Sequence, residues 1–300
     1  MFLDDEAVRR LLRMEDVIAA MAPALAEFSS GNVVQPVRSV VAVAEHGGFL
    51  GVMPAYAGSL GVKLVTFYPG NTGIPTHLAT IMLFKPETGE PLVTMDGTLI
   101  TEMRTAAASA VATGCLARED ASVLAILGSG VQARSHLEAL RLVRDFDEVR
   151  VWSPRGAPAF ARAHHVRAMQ TAEETVRGAD IVVTVTSSET PVLEGAWLSP
   201  GTHINAVGAT RPTWRELDDT AVQRARLYVD SREAGESESG DVRAGTIVAE
   251  LGEVVLDPTL GRQSPDEITL FKSVGIAVED VVTAKIVYDR AIRELSNDGV

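Results

Sequence analysis

Val123-Leu124-Ala125-Ile126-Leu127-Gly128-Ser129-Gly130-Val131-Gln132-Ala133 reads as an apolar strand, a glycine turn and the opening of a helix. A G-x-G-x-x-G/A pattern is weak in isolation, but this one follows a strand at once and starts a helix, the context a dinucleotide requires. Gly128 allows the tight turn and Gly130 lets the backbone approach a pyrophosphate. Ala133 is the small residue needed where helix meets strand. Ser129, Val131 and Gln132 complete the loop at a helix N-terminus, whose free N–H groups and positive dipole end attract phosphate.

Downstream of the loop, strands and helices alternate. Strand-like runs at Val149–Trp152, Val166–Met169, Ile181–Thr186, His203–Val207 and Leu227–Val229 are separated by helical patterns at Gln132–Val143, Ala157–His164 and Ala172–Gly178. Such alternation predicts a parallel sheet covered on both faces. Gly235-Glu236-Ser237-Glu238-Ser239-Gly240 reads as a solvated acidic loop. At the end of the strand after the glycine loop, where NAD-preferring sites place an acid for the ribose hydroxyls, the chain has Trp152-Ser153-Pro154-Arg155. A carboxylate there would repel a 2′-phosphate, whereas Ser153 and Arg155 can bind one, so NADP(H) is the preferred cofactor and NAD(H) the alternative. Val185-Thr186-Ser187-Ser188 follows a strand of the same unit and places Thr186 at the cofactor crevice or at an ordinary strand end.

Upstream the pattern differs. Residues 1–30 have helical spacing (Val8, Leu11, Leu12; Val17, Ile18, Met21). From Val33 to about Leu99, short β-rich segments follow: Arg38–Val43, Val62–Thr66 and Ala79–Phe84, punctuated by Gly47-Gly48, Pro69-Gly70 and Pro86. A helix is expected at Thr105–Ala117 and another, amphipathic, at about Val278–Leu295. The fold class is therefore α/β: a Rossmann domain at 116–277, plus an α+β domain formed by 1–115 with 278–300.

Bulk properties narrow the function. The 300 residues are 46% hydrophobic and 22% charged, as in a globular protein, and the net charge of −13 disfavours a nucleic-acid surface. No apolar run reaches membrane-span length. Met1-Phe2-Leu3-Asp4-Asp5-Glu6 opens a charged amphipathic segment rather than a secretion signal, so a cytoplasmic protein is expected. The single cysteine, Cys115, forms no internal disulfide and builds no thiolate metal site. His164-His165 has no acid or cysteine at ligand spacing, so no metal is expected.

Several blocks resemble the ornithine cyclodeaminase/mu-crystallin family, in its mu-crystallin (ketimine reductase) branch. They are Gly51–Tyr56, Lys63–Tyr68, Met95-Asp96-Gly97 with Arg104–Ala107, His203–Ala209, Arg211–Asp219 and Phe271–Asp280. The resemblance implies a homodimer built through the α+β domain and a small imino- or amino-acid substrate held between the two domains by its carboxylate. Arg38, Lys63, Thr76 and Arg104 match the family's carboxylate-binding positions. Cationic donors suit that task, and arginine anchors a carboxylate bidentately. Lys63 interrupts an apolar strand pattern, where an unpaired ammonium would be costly, which favours a ligand-facing role. Arg104 precedes the expected Thr105–Ala117 helix, whose positive end would add to the anion site. His77 is a candidate proton donor or orienting residue, with a structural role as the alternative.

Ornithine cyclodeaminases have an aspartate where this chain has Thr210. A threonine hydroxyl is no comparable base near neutral pH, so the expected chemistry moves from deamination to hydride reduction of a C=N bond. Thr210 is left to hydrogen-bond a substrate nitrogen or water, and the nicotinamide is expected near Val207-Gly208 and Val274-Gly275. Cyclic ketimine carboxylates, Δ1-pyrroline-2-carboxylate or Δ1-piperideine-2-carboxylate, are the expected substrates, with Lys63, Arg104, Thr210 and His77 as candidate catalytic residues. The alternatives are an ornithine cyclodeaminase or alanine dehydrogenase and, as the resemblance also implies, a thyroid-hormone-type binding protein.

Overall fold

A computed structural model describes residues 1–297. The chain divides into two units, Met1–Arg104 together with the chain from Ile276 onward, and Thr105–Gly275. The cuts fall earlier than the expected 115/116 and 277/278. The reason is the helix near the first cut, which spans Thr98–Leu116 instead of starting at Thr105. Asp96 fixes its start by accepting the Thr98 N–H at 2.8 Å, so an aspartate just before Gly97 acts as the helix stop-and-start signal.

The first unit opens with β1 (Phe2–Leu3), α1 (Asp5–Leu11) and α2 (Met14–Ser29). The one long helical region expected over 1–30 is thus broken. Arg13 is extended (φ −129°, ψ 140°) and its guanidinium donates to the Arg10 and Leu12 carbonyls, closing α1 before α2 begins. Then come β2 (Ser39–Val43), β3 (Gly48–Tyr56), β4 (Leu60–Phe67), β5 (His77–Phe84) and β6 (Pro91–Asp96). They form one sheet in the order β1-β6-β5-β4-β3-β2, antiparallel except for β1 with β6. On β4, Gly61, Lys63, Val65 and Phe67 point to the buried face, as period-two alternation requires. The next element, α3 (Thr98–Leu116), carries the chain from the first unit into the second.

The second unit contains β7 (Val123–Leu127), α4 (Val131–Arg141), β8 (Glu148–Trp152), α5 (Ala157–His164), β9 (Arg167–Ala168), α6 (Ala172–Val176), β10 (Ile181–Thr184) and β11 (His203–Ala206). It continues with α7 (Asp219–Arg224), β12 (Ala225–Val229), α8 (Arg232–Glu238), β13 (Ile247–Glu250), α9 (Leu251–Leu256) and β14 (Ile268–Lys272). The eight strands are parallel and ordered β13-β12-β14-β11-β10-β7-β8-β9, so strand order reverses between β7 and β10. That reversal is the topological switch point where open α/β sheets bind ligands. The expected acidic loop at Gly235–Gly240 is largely the end of α8. Ser231 caps this helix by accepting the Ala234 N–H at 3.3 Å, and Gly235 is buried against Val229.

The chain re-enters the first unit as α10 (Ala277–Asn297), which packs on α2, β3, β4 and β5. A Cβ on Gly61 would lie 3.0 Å from a Val281 methyl, so glycine there is what lets α10 approach β4 closely. Among the described residues, no helix is long and apolar enough to cross a membrane.

Candidate active site

In the first unit, α10 delivers two acids to the cations expected to hold a carboxylate. Lys63 is almost fully buried on β4, between Met53 of β3 and Ile81 of β5. Its Nζ lies 2.6 Å from Asp280 Oδ2. Arg104, inside α3, donates from Nε to Asp280 Oδ1 at 2.9 Å and from Nη1 to Glu279 Oε2 at 2.7 Å. Asp280 therefore bridges the two cations through separate oxygens, while Glu279 meets only Arg104 among these contacts. Two buried positive and two buried negative groups balance formally. Such a set is stable only while complete, since stripping one partner from a buried pair costs about 3–5 kcal/mol.

Burial pulls the Lys63 ammonium down from its ordinary range to about 7; Asp280 opposes the fall, and the Arg104 and Arg38 charges add to it. Arg38, half-buried just before β2, belongs to the same charge cluster. Arg104 does not precede a helix, as expected, but sits within one. The helix N-terminus lies at Thr98, so its positive end is not at Arg104 and adds nothing there. Thr76 and His77 are exposed at the start of β5. The Thr76 hydroxyl lies 3.3 Å from His77 Nδ1, and the His77 ring packs on Phe67 with centroids 4.4 Å apart. Strand alternation puts His77 on the same sheet face as Lys63.

In the second unit, the loop has the stereochemistry a dinucleotide demands. Gly128 has φ +125°, and a Cβ on it would lie 2.6 Å from the Val185 carbonyl oxygen, across the switch point. Gly130 is the N-cap of α4 and has open space around its missing side chain. Val131 is exposed at the helix start, followed by half-buried Gln132. Beneath them His136 is buried, and burial holds it neutral, with a pKa of about 4. Its Nδ1 faces the Gln132 carbonyl at 2.7 Å and Nε2 faces the Ser109 hydroxyl at 3.0 Å. A neutral ring must then donate from Nδ1 and accept at Nε2. His136 thus ties down the first turn of α4.

Ser153 and Arg155 occupy different situations. The Ser153 hydroxyl is 2.8 Å from that of Ser129 and accepts the Gly156 N–H at 3.0 Å, so it is engaged in shaping the loop. Arg155 is exposed.

The carboxyl ends of β10, β11 and β14 are held by buried charges that sequence reasoning left without a role. Glu216 accepts from the Thr184 hydroxyl (2.7 Å) and from the Thr186 N–H (2.6 Å) and hydroxyl (2.7 Å), and it packs against Gly208 where any side chain would clash. Lys272 donates to the Gly208 carbonyl and pairs with Asp241 at 3.2 Å. Asp230 accepts from Ser273 Oγ (3.2 Å), Val274 N (2.8 Å) and Gly275 N (2.6 Å). Burial pushes the carboxyls of both Glu216 and Asp230 up. Thr186, Gly208 and Val274-Gly275 are thus fixed by two carboxylates, with Val207 buried beside Gly208. Thr210 is exposed, just after Ala209 at φ +54°. The signal for the missed residues was available: Lys272, Glu279 and Asp280 interrupt an apolar stretch, where a charge needs a partner. Among the described residues, no group of three or more His, Cys, Asp or Glu is placed to hold a metal ion.

A family model described as "Ornithine cyclodeaminase/mu-crystallin family" matches residues 1–294. The chain is 50% identical over 303 residues to the ketimine reductase mu-crystallin of Mus musculus, covering 96% of each. Among solved structures, it is similar to Thermococcus litoralis Δ1-pyrroline-2-carboxylate reductase in complex with NADH and L-proline (TM-score 0.93, 39% identity, 98% of each chain). It is also similar to an archaeal alanine dehydrogenase dimer with bound NAD (TM-score 0.92, 36% identity, covering 98% of this chain and 96% of that one).

Proposed function

The chain belongs to the ornithine cyclodeaminase/mu-crystallin family, and from that premise we propose that it is an NAD(P)H-dependent reductase of small cyclic ketimine carboxylates, Δ1-pyrroline-2-carboxylate or Δ1-piperideine-2-carboxylate. The observation that carries this reading is the buried pair Lys63 and Arg104, joined through Asp280. With Arg38 beside them, they offer cationic donors to one substrate carboxylate, and a charge-assisted bond there is worth about 1.5–3 kcal/mol. Thr76 is assigned to the same substrate, and His77 to orienting it or supplying its proton.

Gly128, Ser129, Gly130, Val131 and Gln132 are the residues that would hold the pyrophosphate, and Thr186, Val207, Gly208, Val274 and Gly275 those near the nicotinamide. Bound in reduced form, the dinucleotide supplies a hydride to the C=N carbon, and the nitrogen takes a proton. Glu216 and Asp230 keep the backbone of that crevice fixed without touching substrate. Thr210 offers a hydroxyl and no base, which supports reduction over ammonia release.

NADP(H) is the proposed preference. It rests on the absence of an acid around Ser153 and on the exposed Arg155; because Ser153 is engaged with the loop, Arg155 is the remaining group for a 2′-phosphate. Replacing Arg155 by Glu is expected to lower kcat/KM for NADPH about tenfold or more and leave NADH within a few-fold, as loss of one charge-assisted contact implies. A homodimer is proposed as well, supported by the dimeric alanine dehydrogenase relative.

Steady-state assays of purified protein with both imines and each reduced dinucleotide test the activity. Turnover above the protein-free control is expected. Ammonia release from ornithine or alanine without imine reduction would instead establish a deaminase.

A further inference from the structure

We propose that Asp280 is the positioning residue of the anion site, bridging Lys63 and Arg104 so as to keep Lys63 protonated and the two cations in register, while its neighbour Glu279 pairs with Arg104. The proposal rests on the reading of this cluster as the carboxylate site, and it divides labour between two adjacent acids on one helix.

The division follows from geometry. Asp280 reaches Lys63 Nζ with Oδ2 at 2.6 Å and Arg104 Nε with Oδ1 at 2.9 Å. Glu279 reaches Arg104 Nη1 at 2.7 Å. Both acids are fully buried at the start of α10, and their partners come from β4 and from α3. An arginine keeps its proton at any working pH, so Glu279 contributes direction and not protonation. A buried lysine does lose its proton readily, and the charged groups acting on Lys63 are Asp280 from α10, Arg104 from α3 and Arg38 from the segment before β2. Of these, Asp280 alone favours the ammonium.

The charge count gives the consequence. With Lys63 protonated, Lys63 and Arg104 stand as two adjacent cations at the site for a substrate carboxylate. With Lys63 neutral, one of those two charges is lost while the Asp280 carboxylate remains. Asp280 thus helps substrate only while it holds the proton on Lys63.

The test reads Lys63 directly, by heteronuclear NMR titration of 15N-lysine-labelled protein, in wild type, D280N, E279Q and D280E. D280N is expected to lower the Lys63 midpoint by about 1–3 pH units, the effect of removing one adjacent opposite charge. E279Q is expected to leave it within a few tenths of a unit. D280E, which keeps the charge and changes the shape, should stay close to wild type. In activity, the alkaline rise of KM for the imine should move down in pH with D280N and not with E279Q, with kcat less affected. An unmoved midpoint in D280N, or an equal shift in E279Q, overturns the proposal. If D280N does not fold, a Lys63 midpoint shifted in E279Q by as much as one adjacent opposite charge accounts for still overturns it. Failure of wild type to reduce either imine would overturn the functional reading while leaving the Lys63 titration intact, so the two failures are distinct.

Discussion

Gly128 concentrates two constraints in one residue: a left-handed φ and a carbonyl oxygen 2.6 Å from where a Cβ would sit. Gly128→Ala must therefore move β7 against β10 or abandon the turn. We expect dinucleotide affinity to fall at least tenfold by calorimetric titration, with circular dichroism near wild type; unchanged affinity would mean that the loop does not contact the cofactor. This glycine was legible from sequence because its pattern is local. Asp280 was not assigned, although it stands in a recognisable block, because its meaning depends on a partner 217 positions away on β4. Lys63 lies between: its charge within an apolar strand announced that some partner or ligand must exist, but not which. Ser153 follows the strand end as expected, and the partners of its hydroxyl, Ser129 Oγ and the Gly156 N–H, come from loop geometry that no local pattern announces.

Among elements, those with an intact local period were readable, and those set by capping or by pairing across the sheet were not. β7, α5 and β8 match their apolar patterns closely. β14 was not singled out as a strand: its run is short and closes on a charged residue, Lys272, yet it lies in the sheet between β11 and β12. Its C-terminal end is held by Asp230, the residue that directly follows β12. Asp230→Ala would strip a partner from the buried N–H groups of Ser231, Val274 and Gly275 and from the Ser273 hydroxyl. An unsatisfied buried donor costs about 1–3 kcal/mol, so a loss of about 3 kcal/mol or more is expected in urea unfolding. Weaker dinucleotide binding should accompany it. Stability within 1 kcal/mol of wild type, on the same order-of-magnitude scale, would mean that another group takes over these donors.

For the whole molecule, the buried ammonium makes stability depend on pH in a direction opposite to most lysines. Below about 7, Lys63 is protonated in folded and unfolded chains alike; above about 10.5 it is neutral in both. Between those values the unfolded chain binds a proton that the folded chain does not, so this group adds stability as pH rises. Unfolding free energies of wild type and Lys63→Met should therefore differ by a pH-dependent amount that rises over that window, and parallel curves would refute it. The placement of α10 also bears on biosynthesis. A ribosome releases residues 1–104 well before residues 277–297, and during that interval Lys63 and Arg104 have no Asp280 or Glu279 to meet. The second unit faces the same delay, because β11 and β12 cannot become neighbours of β14 until residue 272 is made. Vectorial folding of the emerging N-terminal sheet is thus held open by its own unmatched charges, and a ribosome stalled before residue 277 should carry a nascent chain that proteases and chaperones still recognise.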